Sequence, residues 1–426
     1  MQEFREKTIS KNGINFHFVP TQKFKTIAIT AKFRAPLSRE TITRRALIPH
    51  VLQQGTQTYP DRVALQQKLD SLYGALLSMN GTKKGNYHIT TIRLETANQK
   101  FISNEASIMD EAIALFKEVI LNPKSENGSF PEATVTREKA TLKQKIKAVA
   151  DDKMRLANMR LLDEMCSEEQ YKLHVQGYEE DLETITPDNL YSCYQSMVQN
   201  DTLDIYISGD IDPDTIESKI TGSFVRRETE TSIPKEESAS PKNEPKTVID
   251  KQDVQQAKLH LGYRTNITYG DKDYFALHVF NGLLGGFPSS KLFINVREKN
   301  SLAYYAASRF ESHKGLLFVF SGIAPEDYQQ AREIIVQQVE AMKNGDFTEG
   351  ELNDTKELVI NQMLETTDNA KGIIELMYQQ EVGGKELPFN QLTDGIKKVS
   401  KEDVIKVAEK LELDTVYLMT RGDKNE

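Results

Sequence analysis

Phe130-Pro-Glu-Ala-Thr-Val-Thr-Arg-Glu-Lys-Ala-Thr-Leu-Lys-Gln-Lys-Ile146 and Phe347-Thr-Glu-Gly-Glu-Leu-Asn-Asp-Thr-Lys-Glu-Leu-Val-Ile-Asn-Gln-Met363 decide how this chain folds. Both open on Phe-x-Glu and run into a long polar helix with an apolar stripe. Upstream of each lies another amphipathic helix, Ile108 to Leu121 and Pro325 to Met342. Downstream, Ile185-Thr-Pro-Asp precedes a helix and the strand Leu203–Asp210, while Val399-Ser-Lys-Glu-Asp precedes a helix and the strand Thr415–Asp423. Each copy opens on alternating strand patterns, Ile27–Phe33 and Lys258–Tyr263. A chain that repeats its element order is a duplication. Strands first, then several helices and a closing strand, predict an α+β fold. The expected architecture is a tandem pair of domains, each an antiparallel-rich sheet flanked by helices.

Between the copies, Arg227 to Lys246 is charged and rich in Ser and Pro, with Ile233 its one large aliphatic. Such a segment cannot bury enough apolar surface to fold alone and reads as a linker. It divides the chain into 1–226 and 247–426, each of domain size.

Composition narrows the function. The 426 residues carry 54 Lys+Arg against 63 Asp+Glu, a net charge of −9. That balance repels nucleic acid and anionic lipid. No apolar run approaches a membrane span, the N-terminus lacks a signal-peptide core, and two cysteines, Cys166 and Cys193, build no disulfide framework; a cytoplasmic location is expected. The seven histidines are scattered, so neither H-E-x-x-H nor H-x-x-E-H can be written. Phosphate-binding glycine loops and the G-x-S-x-G elbow are also missing.

The stretch Leu283-Leu-Gly-Gly-Phe-Pro-Ser-Ser-Lys-Leu-Phe-Ile-Asn-Val-Arg-Glu-Lys-Asn-Ser-Leu-Ala-Tyr-Tyr305 resembles the LGG…SSxLFxxxREKxxLAY element of the insulinase- or pitrilysin-type zinc peptidases, the inverzincins. In the first half, Ala46-Leu-Ile-Pro-His-Val-Leu-Gln-Gln-Gly-Thr56 aligns with that family's zinc helix, HFLEHMLFKGT. The resemblance covers nearly the whole chain and implies a clamshell of two homologous domains.

The departures bear on activity. In active members, two histidines and a distal glutamate hold zinc, and the glutamate of H-x-x-E-H is the general base. Here Ala46 stands at the first histidine, Pro49 at the base, and His50 alone remains. The distal ligand follows the glutamate of an E-[RK] pair by seven residues; from Glu138 that count lands on Lys145, a cation. One imidazole cannot hold zinc against water, so no metal is expected in this chain and no catalytic set is intact.

By the same resemblance, Arg297 and Tyr304 match the arginine and tyrosine that reach the substrate from opposite the metal. Guanidinium and phenol can both donate to a peptide carbonyl and its oxyanion. Some short family members, the mitochondrial processing peptidases among them, divide the zinc helix and the Arg/Tyr element between two chains. The expectation is a non-catalytic, substrate-binding subunit whose partner is a homologous chain with zinc in an intact H-x-x-E-H. Extended peptides would bind by β-augmentation, and the stretch Gly74–Asn80 resembles the family's edge strand. Two alternatives stand beside it: a homodimeric peptide-binding or scaffold protein, and an active peptidase using unrecognised groups. From spacing alone, Tyr305 packs on the opposite face from Tyr304, and Gly285-Gly286 makes a tight helix exit.

Overall fold

The structure is a computed structural model and describes residues 6–102, 107–224, 226 and 244–422. The first half runs β1 (Lys7–Lys11), β2 (Ile14–Pro20), β3 (Thr26–Pro36), α1 (Ile42–Leu52), α2 (Arg62–Ser71), β4 (Leu76–Lys84), β5 (Tyr87–Ala97), α3 (Ile108–Leu121), α4 (Glu132–Lys147), α5 (Lys153–Met165), α6 (Pro187–Asn200), β6 (Thr202–Gly209) and α7 (Pro213–Ile220). The second runs β7 (Lys246–Lys251), β8 (Ala257–Arg264), α8 (Tyr274–Asn281), two π-helical stretches (Gly282–Gly286 and Phe293–Glu298), β9 (Ala303–Glu311) and β10 (Leu316–Ile323). It continues through α9 (Tyr328–Lys343), α10 (Glu349–Thr366), α11 (Ala370–Gly383), α12 (Phe389–Lys398) and α13 (Lys401–Glu409) to β11 (Glu412–Thr420).

The sheet orders are β1-β2-β6-β3-β5-β4 and β7-β11-β8-β10-β9. Apart from β1, they match strand for strand. Each has one parallel pair, β2 with β6 and β7 with β11, and the remaining neighbours are antiparallel. The duplication and the α+β fold are therefore both present. Residues 227–243 of the expected linker lie outside the described residues, and Lys246 is already the first residue of β7.

Local sequence explains the helix starts. Thr348 caps α10 reciprocally with Glu351, Ser400 caps α13 with Asp403, and Thr186 caps α6 with Asn189. The matching start of α4 differs: Pro131 occupies the cap and offers no side-chain acceptor. Each sheet packs one face on helices of its own half. Phe16, Phe33, Leu47, Phe116 and Ile205 belong to the first core; Leu261, Phe280, Val319, Ile335 and Leu418 belong to the second.

The opposite faces are covered by exchange. Helix α11 of the second half lays Ile373, Ile374, Met377 and Tyr378 on Val19, Ala28, Ile89 and Tyr206 of the first sheet. Helix α5 of the first half lays Leu156, Leu161 and Met165 on Leu316, Phe318, Tyr417 and Met419 of the second. Strand β3 is accordingly buried from Ile27 to Phe33, whereas alternation alone implies one wet face. Ion pairs accompany the exchange. Glu169 meets Arg264 at 2.7 Å and Lys314 at 2.8 Å, and the Lys32 ammonium contacts Glu375.

Candidate functional site

Helix α1 and helix α4 bring together the positions that correspond to a zinc site. Ala46 packs into the first core and Pro49 is buried within α1. A proline there has no N–H to return to the carbonyl four residues earlier. His50 is half-buried on the same helix, and its Nδ1 lies 3.8 Å from Glu138 Oε2 of α4. Glu138 is itself buried and accepts from Arg137 Nε at 2.9 Å, while Arg137 Nη2 donates to Gln54 Oε1 at 2.9 Å. Burial holds the His50 imidazole below its ordinary pKa, the nearby Lys145 charge lowers it further, and Glu138 opposes both. The fold thus brings His50 against Glu138, with the exposed Lys145 ammonium near enough to act on the imidazole at the position where the resemblance implies the third ligand's carboxylate. Sequence reasoning used Glu138 only as a counting mark; its role as the acid facing His50 needed α1 packed on α4.

The turn after α1 has a steric cause. Gly55 sits at φ +149°, and a Cβ there would lie 2.8 Å from the Tyr59 carbonyl oxygen. The tight turn leads towards α2 and then to β4, which forms the free edge of the first sheet as the Gly74–Asn80 stretch suggested. Gln53, the residue after α1, donates from Nε2 to the Met79 carbonyl of that edge strand at 3.3 Å. Leu76 is 69% exposed at the strand's start.

Arg297 and Tyr304 are placed by the other half. Lys299 N–H donates to the Ile294 carbonyl at 2.9 Å, a five-residue step that widens the helix around Arg297. The guanidinium is exposed, stacks 4.6 Å from the Phe293 ring and lies 3.6 Å from Glu298. Tyr304 stands on β9, the free edge of the second sheet, at 72% exposure, and among the described residues no hydrogen bond to its hydroxyl is present. Tyr305 turns the other way, half-buried against Gly322 with Lys258 Nζ 5.5 Å from its ring. Gly285 and Gly286 do not take a left-handed exit conformation. The structure gives Gly285 a different purpose: a Cβ would sit 2.5 Å from Ser308 N, so the missing side chain lets the π-helical stretch press on β9.

A family model described as "Peptidase M16 inactive domain" matches residues 184–359. The chain is 47% identical over 419 residues to "Probable inactive metalloprotease YmfF" of Bacillus subtilis, spanning 98% of each. The chain belongs to the M16 metallopeptidase family. It is similar to that family's inactive members, in keeping with Ala46, Pro49 and Lys145 at the zinc-motif positions. An "Uncharacterized zinc protease YmxG" of the same species is 26% identical, over 67% of this chain and 69% of its own. Among solved structures, a conserved protein from Enterococcus faecalis V583 aligns with a TM-score of 0.91 at 31% identity, covering 99% of this chain and 100% of that one. A peptidase M16 inactive domain from Pseudomonas fluorescens shares the fold, with a TM-score of 0.79 at 20% identity and 99% coverage of both chains. No helix among the described residues is long and apolar enough to cross a membrane.

Proposed function

We propose that this M16 chain is the non-catalytic, peptide-binding subunit of a two-chain zinc endopeptidase, and that Arg297 and Tyr304 serve a zinc site carried by a homologous partner. The observation that carries the reading is the exposure of both donors. A phenol 72% exposed on a free strand edge has no packing role in its own half, and the Arg297 guanidinium is exposed as well, resting on Phe293. In a closed chamber of two chains such donors would meet the peptide carbonyl and stabilise its oxyanion. Strand β9 would at the same time offer backbone groups for β-augmentation. Zinc belongs in this reading to the partner, because α1 supplies one imidazole and α4 an ammonium.

The test is reconstitution with an H-x-x-E-H homologue from the same cell, in the cytoplasmic setting expected for both. Tyr304→Phe should leave assembly and melting temperature unchanged and lower kcat by roughly 10²–10³, the typical effect of one oxyanion donor. Arg297→Ala should act more on KM, and Arg297→Lys should not rescue it, since an ammonium lacks the planar fork. Full activity from a stable double variant would end the proposal. Stable self-association with no such partner in a native pull-down would favour the homodimeric peptide-binding or scaffold reading. Peptidase activity of the pure chain alone would favour unrecognised catalytic groups.

A further inference from the structure

The two exchanged helices rest on chemically different seats. Beneath α5 the second sheet carries Leu316, Phe318 and Met419 and one fully buried imidazole, His260. Beneath α11 the first sheet carries His17, Lys32 and Asp204, all of them buried. Charges buried at a helix–sheet contact cost desolvation unless each finds a partner. Lys32 has Glu375. His17 Nδ1 lies 2.6 Å from Glu6 Oε1, and the His17 ring stacks on Tyr206 at 4.2 Å.

What remains is a convergence of three donor groups. His17, Asp204 of β6 and Glu381 of α11 each offer a ligand atom, and these atoms all lie within 4.8 Å of one another. Asp204 is fully buried; its Oδ1 is 3.3 Å from His17 Nε2 and accepts from Asn15 Nδ2 at 3.0 Å, but its Oδ2 has no hydrogen-bond partner. The buried hydroxyls of Tyr206 and Tyr378 also lack partners, and burial together with the Asp204 charge keeps both phenols protonated. An unpaired carboxylate oxygen at zero exposure is expensive in a protein interior.

We propose that His17, Asp204 and Glu381 bind a divalent transition-metal cation that pins α11 of the second half to the first sheet. One imidazole and two carboxylates form a donor set suited to Zn²⁺ and poorly suited to Mg²⁺. A dication balances the two carboxylates, and Asp204 Oδ2 gains the partner it lacks. Glu6 supplies the supporting contact, accepting from His17 Nδ1–H. Burial opposes the charged ring, but the hydrogen bonds to Asp204 and Glu6 raise its pKa to about 9, so the cation must displace the Nε2 proton now shared with Asp204. Ligand bonds of about 2.0–2.2 Å require the donor atoms to draw closer than they stand. Half-buried Glu381, near the end of α11, can swing its side chain to do so. The site shares no residue with the degenerate zinc helix, and it departs from the expectation that this chain holds no metal.

The experiment uses the full chain, stripped with chelator, dialysed and titrated calorimetrically with Zn²⁺, Mn²⁺ and Mg²⁺. The expected result is saturable uptake of about one Zn²⁺ per chain with a raised unfolding temperature, Mn²⁺ weaker and Mg²⁺ without effect. Glu381→Gln, at a half-buried position that should not disturb folding, should abolish that uptake. His17→Gln should do the same if it folds, while His50→Ala should bind as the parent does. The proposal is overturned if the folded parent shows no saturable uptake, if Glu381→Gln binds as the parent does, or if the uptake depends on His50.

Discussion

The exchange of helices between halves can be probed where backbone meets side chain. Gly262 lies on β8 of the second sheet, and a Cβ built there would stand 2.6 Å from Met165 Sδ and 3.5 Å from Leu161 Cδ1, both on α5 of the first half. Gly262→Ala therefore drives a methyl into a packed interface and should cost about 1–3 kcal/mol. The lower end is favoured because a thioether can shift rotamer. Met165 is 2% exposed, so Met165→Ala should cost about 2–5 kcal/mol, from lost burial and the cavity left behind. In the double variant the new methyl enters the space vacated by the thioether. Its destabilisation should fall short of the sum of the singles by about 0.5–3 kcal/mol. The chain has no tryptophan, so urea unfolding is best followed by far-UV circular dichroism. Costs that add to within about 0.3–0.5 kcal/mol would mean that α5 and β8 do not touch, and the exchange would be wrong.

Acid stability should follow the buried histidines. Burial pushes His278 and His313 down to about 4, and His88 and His260 to about 3, so the unfolded chain takes up protons that the folded one refuses below about pH 6.5. Their stability contribution is present above that value and is lost as pH falls towards 4, by up to about 1.4 kcal/mol per histidine per pH unit. His278→Leu should flatten the slope by that amount; an unchanged slope would refute the burial argument. Limited proteolysis should cut first between 227 and 243, and the nicked protein should still elute at the size of the intact chain. Halves that separate on cleavage would contradict the mutual docking of α5 and α11.

Much of this protein can be read from one dimension. The repeated Phe-x-Glu helices, the closing strands and the start and end of α3 at Ile108 and Leu121 follow from local periodicity, which acts over a few residues. The loss of the zinc motif is equally legible, because Ala46, Pro49 and His50 share one helix and Lys145 is found by counting along another. Tertiary structure alone decided the rest. Nothing in the pattern of α5 or α11 says that each covers the other half's sheet, since an apolar stripe records that a face is buried and not what buries it. Glu138 faces His50 only because α1 packs on α4. His17, Asp204 and Glu381 come from two strands and an exchanged helix, and each residue alone looks ordinary. Buried charges find partners through space, where sequence separation carries no information.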